Sequence, residues 1–298
     1  MALLATRAWG DEGAGAARPL ALLVHGVTSS SRTWWRVGPA LAARGFRVVA
    51  VDLRGHGASP GVVARLAAAD LAADVAETLD AAAAPEPAPA AAEPAPAAAR
   101  APGGASEPAP GATATAGGGS GPVVDLLVGH SLGALVALEL VAARPGLARR
   151  LVLEEPPGPA SVDWAGLADG AEADARRAAA EPEALRRDLE AANPRWPPGE
   201  AERRIADLAD CHAAAVAAAL RPGVPFDLAA LIAAARLPIL LLLAEEALGS
   251  TIVGVDRKAA VAALGEGRTA QVLPVGHSIH RESLELWLAA LDAWLPGS

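Results

Sequence analysis

At 298 residues, with 52% hydrophobic side chains and a formal net charge of -9, the chain can bury one large α/β core and is too acidic to favour nucleic acid or an anionic membrane surface as a partner. Its one cysteine, Cys211, excludes an intrachain disulfide and a cysteine-rich metal site, and its one lysine, Lys258, leaves no lysine-rich patch. Met1 to Gly10 lacks the basic and then apolar profile of a signal peptide, and the apolar runs fall short of the roughly 20 residues that span a bilayer, so a cytoplasmic protein is expected.

Residues 2–9 and 19–25 read as two strands joined by a turn rich in Gly, Ala, Asp and Glu. The second, Leu20 to Val24, is a continuous apolar run, as expected of a strand covered on both faces. It ends in His25-Gly26-Val27, followed by the polar Thr28 to Ser31. His25 reads as a buried histidine that fixes this loop through hydrogen bonds. Trp34 to Ala43 suits a helix ending at Gly45, and Phe46 to Val51 suits the next buried strand. That strand stops at Asp52-Leu53-Arg54-Gly55-His56-Gly57, a loop whose polar groups can satisfy one another. Leu66 to Ala82 has apolar residues at helical spacing, with Asp70, Asp74 and Glu77 facing outward.

From Ala83 to Gly121 the composition changes to alanine, proline, glycine and a few charges, with no leucine, isoleucine, valine or aromatic residue. Such a stretch cannot bury enough apolar area to offset its ordering entropy, so a disordered insertion over 83–121 is expected. The apolar run Val123 to Val128 follows, then Gly129-His130-Ser131-Leu132-Gly133, then the helical pattern Ala134 to Ala143. A strand, a sharp turn carrying a serine and a helix present a hydroxyl at the sheet edge, and the crowding of that turn demands glycine two residues to either side. The same spacing recurs at Gly57-Ala58-Ser59-Pro60-Gly61, but no strand precedes it, and Pro60 has no NH to offer beside a nucleophile. Ser131 is therefore the candidate nucleophile and Ser59 a loop residue.

Arg149 to Leu153 reads as another strand, ending in Glu154-Glu155-Pro156-Pro157-Gly158. From there to about Arg236 only charged helical segments appear, Ala165 to Ala180, Pro182 to Ala191 and Glu200 to Leu220, which suggests a helical lid. Cys211 and His212 lie there without partner ligands nearby and read as packing residues. The strand pattern resumes at Ile239 to Leu243 and closes at Ala244-Glu245-Glu246. Ala259 to Leu264 is a short helix, Thr269 to Leu273 the last strand, Val275-Gly276-His277-Ser278 a loop, and Glu282 to Leu295 the final helix. Strands alternating with helices imply an α/β fold with a mostly parallel central sheet flanked by helices. A serine nucleophile needs a base, and His277, in a loop after the last strand, is in the right kind of place; His280, three residues on, is the fallback.

These motifs in this order resemble the α/β-hydrolase superfamily, and the resemblance covers essentially all of the chain except the Ala/Pro insertion. It implies a hydrolase core of residues 1–154 and 237–298 with an inserted helical cap over 155–236. It makes Ser131 the nucleophile, His277 the base, and the backbone NH groups of Val27 and Leu132 the oxyanion hole. The acid departs from the pattern, because the usual aspartate position is Ala247. Glu245 is the leading substitute, followed by Glu155 or Glu154 after the preceding core strand, then Glu246 and Asp256. The resemblance implies a serine hydrolase acting on a carboxylic ester, thioester or lactone through an acyl-enzyme, with neither a metal nor an organic cofactor; the mostly apolar lid suggests a small, largely apolar acyl substrate. Carbon-carbon bond hydrolysis or perhydrolysis by the same triad, and a non-catalytic ligand-binding relative, are the alternatives.

Overall fold

In the computed structural model, residues 3–10, 18–61, 65, 67–83 and 124–295 are described. The Ala/Pro/Gly-rich stretch expected to be disordered lies, from residue 84 on, outside the described residues. Within the described residues, seven strands form one sheet: β1 (Thr6–Trp9), β2 (Leu20–Val24), β3 (Arg47–Val51), β4 (Leu126–His130), β5 (Leu151–Glu154), β6 (Ile239–Ala244) and β7 (Thr269–Leu273). Their order is β1-β3-β2-β4-β5-β6-β7, with β1 antiparallel to β3 and every other pairing parallel. The four central strands β2, β4, β5 and β6 are buried along their whole length, which is what their unbroken apolar runs require. The edge strands β1 and β7 are mostly exposed.

Among the described residues, eleven α-helices accompany the sheet: α1 (Val37–Ala43), α2 (Ala68–Ala83), α3 (Leu132–Ala143), α4 (Trp164–Ala180), α5 (Pro182–Ala192), α6 (Glu200–Ala209), α7 (Ala213–Leu220), α8 (Leu228–Ala234), α9 (Gly254–Leu264), α10 (Ile279–Glu282) and α11 (Leu284–Trp294). Side chains alternate across a strand, and the core is split accordingly. Leu20, Leu22 and Val24 of β2 pack with Leu135 and Leu138 of α3 and Leu71 and Val75 of α2 on one face. Ala21 and Leu23 pack on the other, with Leu41 of α1 and Trp287 and Leu291 of α11. α3 carries buried residues all around its surface, so it is enclosed by the sheet and its neighbours rather than amphipathic.

Several helical boundaries differ from those read in the sequence: α1 starts at Val37 after a 3-10 turn over Ser31–Trp34, and α9 starts at Gly254, five residues before the expected Ala259. The continuous helix expected over Glu200 to Leu220 is broken between α6 and α7, where the His212 backbone NH bonds to the Gly55 carbonyl at 2.9 Å and ties this segment to the loop after β3. The final helix begins two residues later than expected, at Leu284, because Ser283 is extended (φ -149°) and its hydroxyl accepts from the Leu286 NH to cap α11, and the short α10 precedes it. α8, unexpected from the sequence, begins at Asp227, whose carboxylate accepts from the Ala230 NH. It packs on α3 and α9 beside the sheet. α4, α5 and α6 have a small apolar cluster of their own, Ala178, Leu185 and Leu208. No helix among the described residues is long and apolar enough to cross a membrane.

Register places the site. Val24 lies beside Gly129, and His130 beside Glu154, so the residues following β2, β4 and β5 emerge together at one edge. Glu154 in turn lies beside Leu242. The carboxyl ends of a parallel sheet, where its loops diverge, form the crevice in which such folds bind ligands.

Candidate active site

Between β4 and α3 the chain turns on Ser131, which has φ 53° and ψ -120°. The flanking glycines are sterically required. A Cβ on Gly129 would lie 2.3 Å from the Gly133 carbonyl oxygen, and one on Gly133 would lie 2.3 Å from the Val24 carbonyl oxygen. Among the described residues only Thr28, Ser131 and Glu155 combine a side chain with positive φ, at 56°, 53° and 47°. A non-glycine residue held this way costs about 1–3 kcal/mol; Thr28 and Ser131 line one cavity, and Glu155 lies buried behind its His277 wall. The second serine of the same motif spacing is elsewhere engaged: the Ser59 hydroxyl donates to the Asp52 carbonyl at 2.5 Å and accepts from the Ala5 NH at 2.8 Å.

His277 follows β7 and lines the same cavity as Ser131. Its Nδ1 lies 3.1 Å from the Thr251 hydroxyl and 3.4 Å from Glu155 Oε2. Glu155 is fully buried. Its Oε1 accepts from the Ala244 NH at 2.7 Å and its Oε2 from the Thr251 NH at 3.0 Å, with the Ser250 hydroxyl 3.0 Å from both. A carboxylate this deep is tolerable because donors meet it from every side.

The leading acid candidate from the sequence, Glu245, does not reach His277. It is exposed beyond the end of β6, where its backbone turns into a short 3-10 helix and its NH bonds to the Val275 carbonyl at 3.0 Å. The carboxylate that the structure brings to His277 is Glu155, one strand over. The other candidates are occupied: Glu246 pairs with Arg257 at 3.2 Å, and Asp256 accepts from the Ala160 NH at 2.9 Å and the Ser161 hydroxyl at 2.6 Å. Glu154 turns to the opposite side of the sheet edge, accepting from His280 Nδ1 at 2.7 Å, the His280 NH at 3.0 Å and the Trp287 indole at 3.0 Å.

That last network settles His280, whose Nε2 accepts from the Thr33 hydroxyl at 2.6 Å. With both ring nitrogens engaged and the ring buried, it has none to offer Ser131. Burial holds His280 and His130 well below the ordinary histidine range and pushes Glu154 up. His130, Glu154 and His280 hold three possible ligand atoms within 4.8 Å of one another, yet Glu154 and His280 already bond each other. His130 Nε2 donates to the His277 carbonyl at 3.2 Å, which steadies the loop carrying the histidine.

His25 does what its position predicts. Its Nδ1 donates to the Gly26 carbonyl at 2.7 Å and its Nε2 accepts from the Leu53 NH at 2.9 Å, joining the loops after β2 and β3, while burial lowers it to about 4. Asp52 accepts from the Ser31 NH at 2.6 Å and the Ala58 NH at 2.9 Å. These bonds shape the loop in which Val27 sits. The NH groups of Val27 and Leu132 donate to no described residue, and both residues line the cavity.

The cavity measures about 580 Å³, within the range of small-molecule sites. Its floor is the loop of Gly26 to Ser29, the Ser131 turn and His277. Its opposite wall comes from the segment between β5 and β6, through Trp164, Leu167, Arg204 and Leu220 on helices and Trp196 in the turn between α5 and α6. Of the residues singled out in the sequence, Ser131, His277, Val27 and Leu132 line this cavity, and Glu155, ranked second as the acid, is the carboxylate that faces His277. Sequence reasoning missed Thr251, Arg204 and Arg281, since nothing distinguishes them in the sequence from the other threonines and arginines.

The family model described as "Alpha/beta hydrolase family" matches residues 21–290. Among curated relatives, the "Putative protein-lysine deacylase ABHD14B" of Homo sapiens is 40% identical over 75 residues, 23% of this chain and 36% of that protein. The "Putative carbamate hydrolase RutD" of Variovorax paradoxus is 32% identical over 133 residues, 44% of this chain and 36% of that protein. These alignments thus span about a third of the relatives' length. Among solved structures, a hydrolase from Pseudomonas aeruginosa is 24% identical with a TM-score of 0.65, covering 99% of this chain and 94% of that one. An enol-lactonase from Burkholderia xenovorans is 16% identical with a TM-score of 0.64, covering 98% and 95%. At such identities the structures share the fold.

Proposed function

The chain belongs to the alpha/beta hydrolase family, and from that premise we propose that it is a serine hydrolase that cleaves a carboxylic ester, or a related thioester or lactone, through an acyl-enzyme. The observation that carries this reading is the convergence on one cavity of Ser131, held at φ 53°, and His277, whose Nδ1 faces the buried Glu155. Glu155 and Thr251 engage Nδ1 and so leave Nε2 as the nitrogen that can accept a proton. In the reaction, Ser131 Oγ attacks the carbonyl carbon as His277 Nε2 takes its proton. The oxyanion accepts from the Val27 and Leu132 NH groups, which have no other partner to give up. His277 then protonates the leaving group, and a water molecule activated by His277 releases the acid.

Glu155 fixes the imidazole's tautomer and orientation and balances the imidazolium formed in each transition state. In this reading α4 to α7 act as the cap, and α8, packed on α3 and α9, belongs with the core. The names of two curated relatives, a deacylase and a carbamate hydrolase, agree with acyl-bond hydrolysis, while a third, an epoxide hydrolase matched over 41 residues, acts on another bond. Rapid mixing with 4-nitrophenyl acetate is expected to release a burst of nitrophenol approaching one equivalent per active site, followed by slower steady turnover. A hydrolase that forms no covalent intermediate gives no burst, and a non-catalytic relative gives neither phase.

A further inference from the structure

The chain is acidic overall, yet the wall of its cavity is not. Two arginines, Arg204 of α6 and Arg281 of α10, line the cavity, against one lining carboxylate, Asp163, which is exposed and caps α4. Net charge is -9, so two guanidinium groups facing one cavity are not a by-product of a basic chain.

The two arginines are differently placed. Arg281 is paired with carboxylates: Nε lies 3.1 Å from Glu200 and 2.9 Å from the Thr33 hydroxyl, and Nη2 lies 3.5 Å from Asp207 and 3.0 Å from the Ser29 hydroxyl. Arg204 has no carboxylate within 4 Å among the described residues. Its contacts are neutral ones, the Thr28 carbonyl through Nη1 and the Thr28 hydroxyl through Nη2 at 2.9 Å. Five N–H donors with two in use leave three for another molecule. Burial lowers Arg204 to about 10, so it remains a cation at neutral pH. Asp207 and Asp174 act on it only from beyond contact distance and Arg281 opposes them, so this desolvated guanidinium is stabilised by an anion that meets it directly.

Its position relative to the nucleophile is set by Thr28. That residue follows Val27 directly, and Thr28, Val27 and Ser131 all line the cavity. An anion on Arg204 therefore lies on the cap side of the reacting carbonyl, with Trp164, Leu167 and Leu220 left to enclose an apolar part.

Resting on the serine hydrolase reading above, we propose that Arg204 is an anion subsite and that the substrate carries a carboxylate in addition to its scissile acyl group, as in a half-ester or half-amide of a dicarboxylic acid. This revises the sequence expectation of a largely apolar substrate.

Three esters test it: neutral 4-nitrophenyl butyrate, 4-nitrophenyl hemisuccinate with its charge in the acyl part, and 4-butyryloxybenzoate with its charge in the alcohol part. The wild-type protein is expected to favour one of the anionic esters in kcat/KM. In Arg204→Gln the ratio of that ester to the neutral one is expected to fall roughly 100-fold, and in Arg204→Lys by less. Preference for the neutral ester by the wild type, or a ratio unchanged in Arg204→Gln while both rates fall together, overturns the subsite and makes Arg204 only a clamp on Thr28. Turnover of the neutral ester alone leaves the hydrolase reading standing without the subsite. Turnover of none of the three, with no covalent labelling of Ser131, is instead the failure of the hydrolase reading.

Discussion

Ser131→Ala is expected to reduce turnover of a short-chain aryl ester by on the order of a million-fold, because removing the nucleophile disables the base and the acid that serve it. The fold should survive. The Ser131 hydroxyl makes no hydrogen bond to another described residue, so its loss strands no partner, and alanine inherits the same backbone strain. Unfolding free energy is therefore expected to stay within about 0.5 kcal/mol of the wild type. Turnover and denaturant melts on the same preparation check both halves; wild-type turnover in a folded Ser131→Ala protein contradicts the assignment.

The second large effect is at Glu155. Glutamine there meets donors on both sides: the Ala244 NH and Ser250 hydroxyl at one oxygen, the Thr251 NH and His277 Nδ1 at the other. An amide oxygen can serve only one side. Turned toward Ala244, it sets its NH2 against His277 and favours the tautomer with the proton on Nε2, which cannot accept from serine. Turned toward His277, it leaves the Ala244 NH facing a donor. A loss of about 10,000-fold in kcat is expected, with about 1–3 kcal/mol of stability. Glu245→Ala, at an exposed side chain, is expected to change kcat/KM by less than about twofold. The pair separates the two carboxylates in one steady-state assay, and the reverse order of effects contradicts the geometry.

Why the sequence pointed to Glu245 before Glu155 has a physical answer. β5 and β6 are neighbours in the sheet, so a carboxylate beyond either strand emerges near the same histidine. Which one turns inward is decided by the loop after β6. There Arg257 bonds the Ala244 carbonyl at 2.7 Å and the Ser250 hydroxyl at 2.9 Å, which sets Ser250 and Thr251 against Glu155. No local pattern announces a contact made by Arg257 across thirteen residues of chain. Ser131 was legible because its constraint is local: glycine two residues away on each side, a buried strand before it and a helix after it. The central strands were legible for the same reason, as unbroken apolar runs. The α6–α7 break and the role of Arg204 were not, since each depends on a residue distant in sequence, Gly55 in one case and Thr28 in the other.

The catalytic reading also explains where strain resides. Among the described residues, the three non-glycine residues with positive φ are the proposed nucleophile, the proposed acid and the residue joining Val27 to Arg204. Each is fixed by bonds from another element: the Ser131 NH to the Glu154 carbonyl, the Glu155 NH to the Leu242 carbonyl, and Thr28 to Arg204. Preorganisation of this kind costs stability in the free protein and removes reorganisation from the reaction.

The most direct test of the central claim is covalent capture with a fluorophosphonate, followed by mass mapping of the digested protein. The account predicts rapid one-to-one phosphonylation confined to Ser131, slowed severely in Glu155→Gln and abolished in Ser131→Ala. Absence of labelling in the folded wild-type protein, or a label on Ser59 or any other serine, contradicts it.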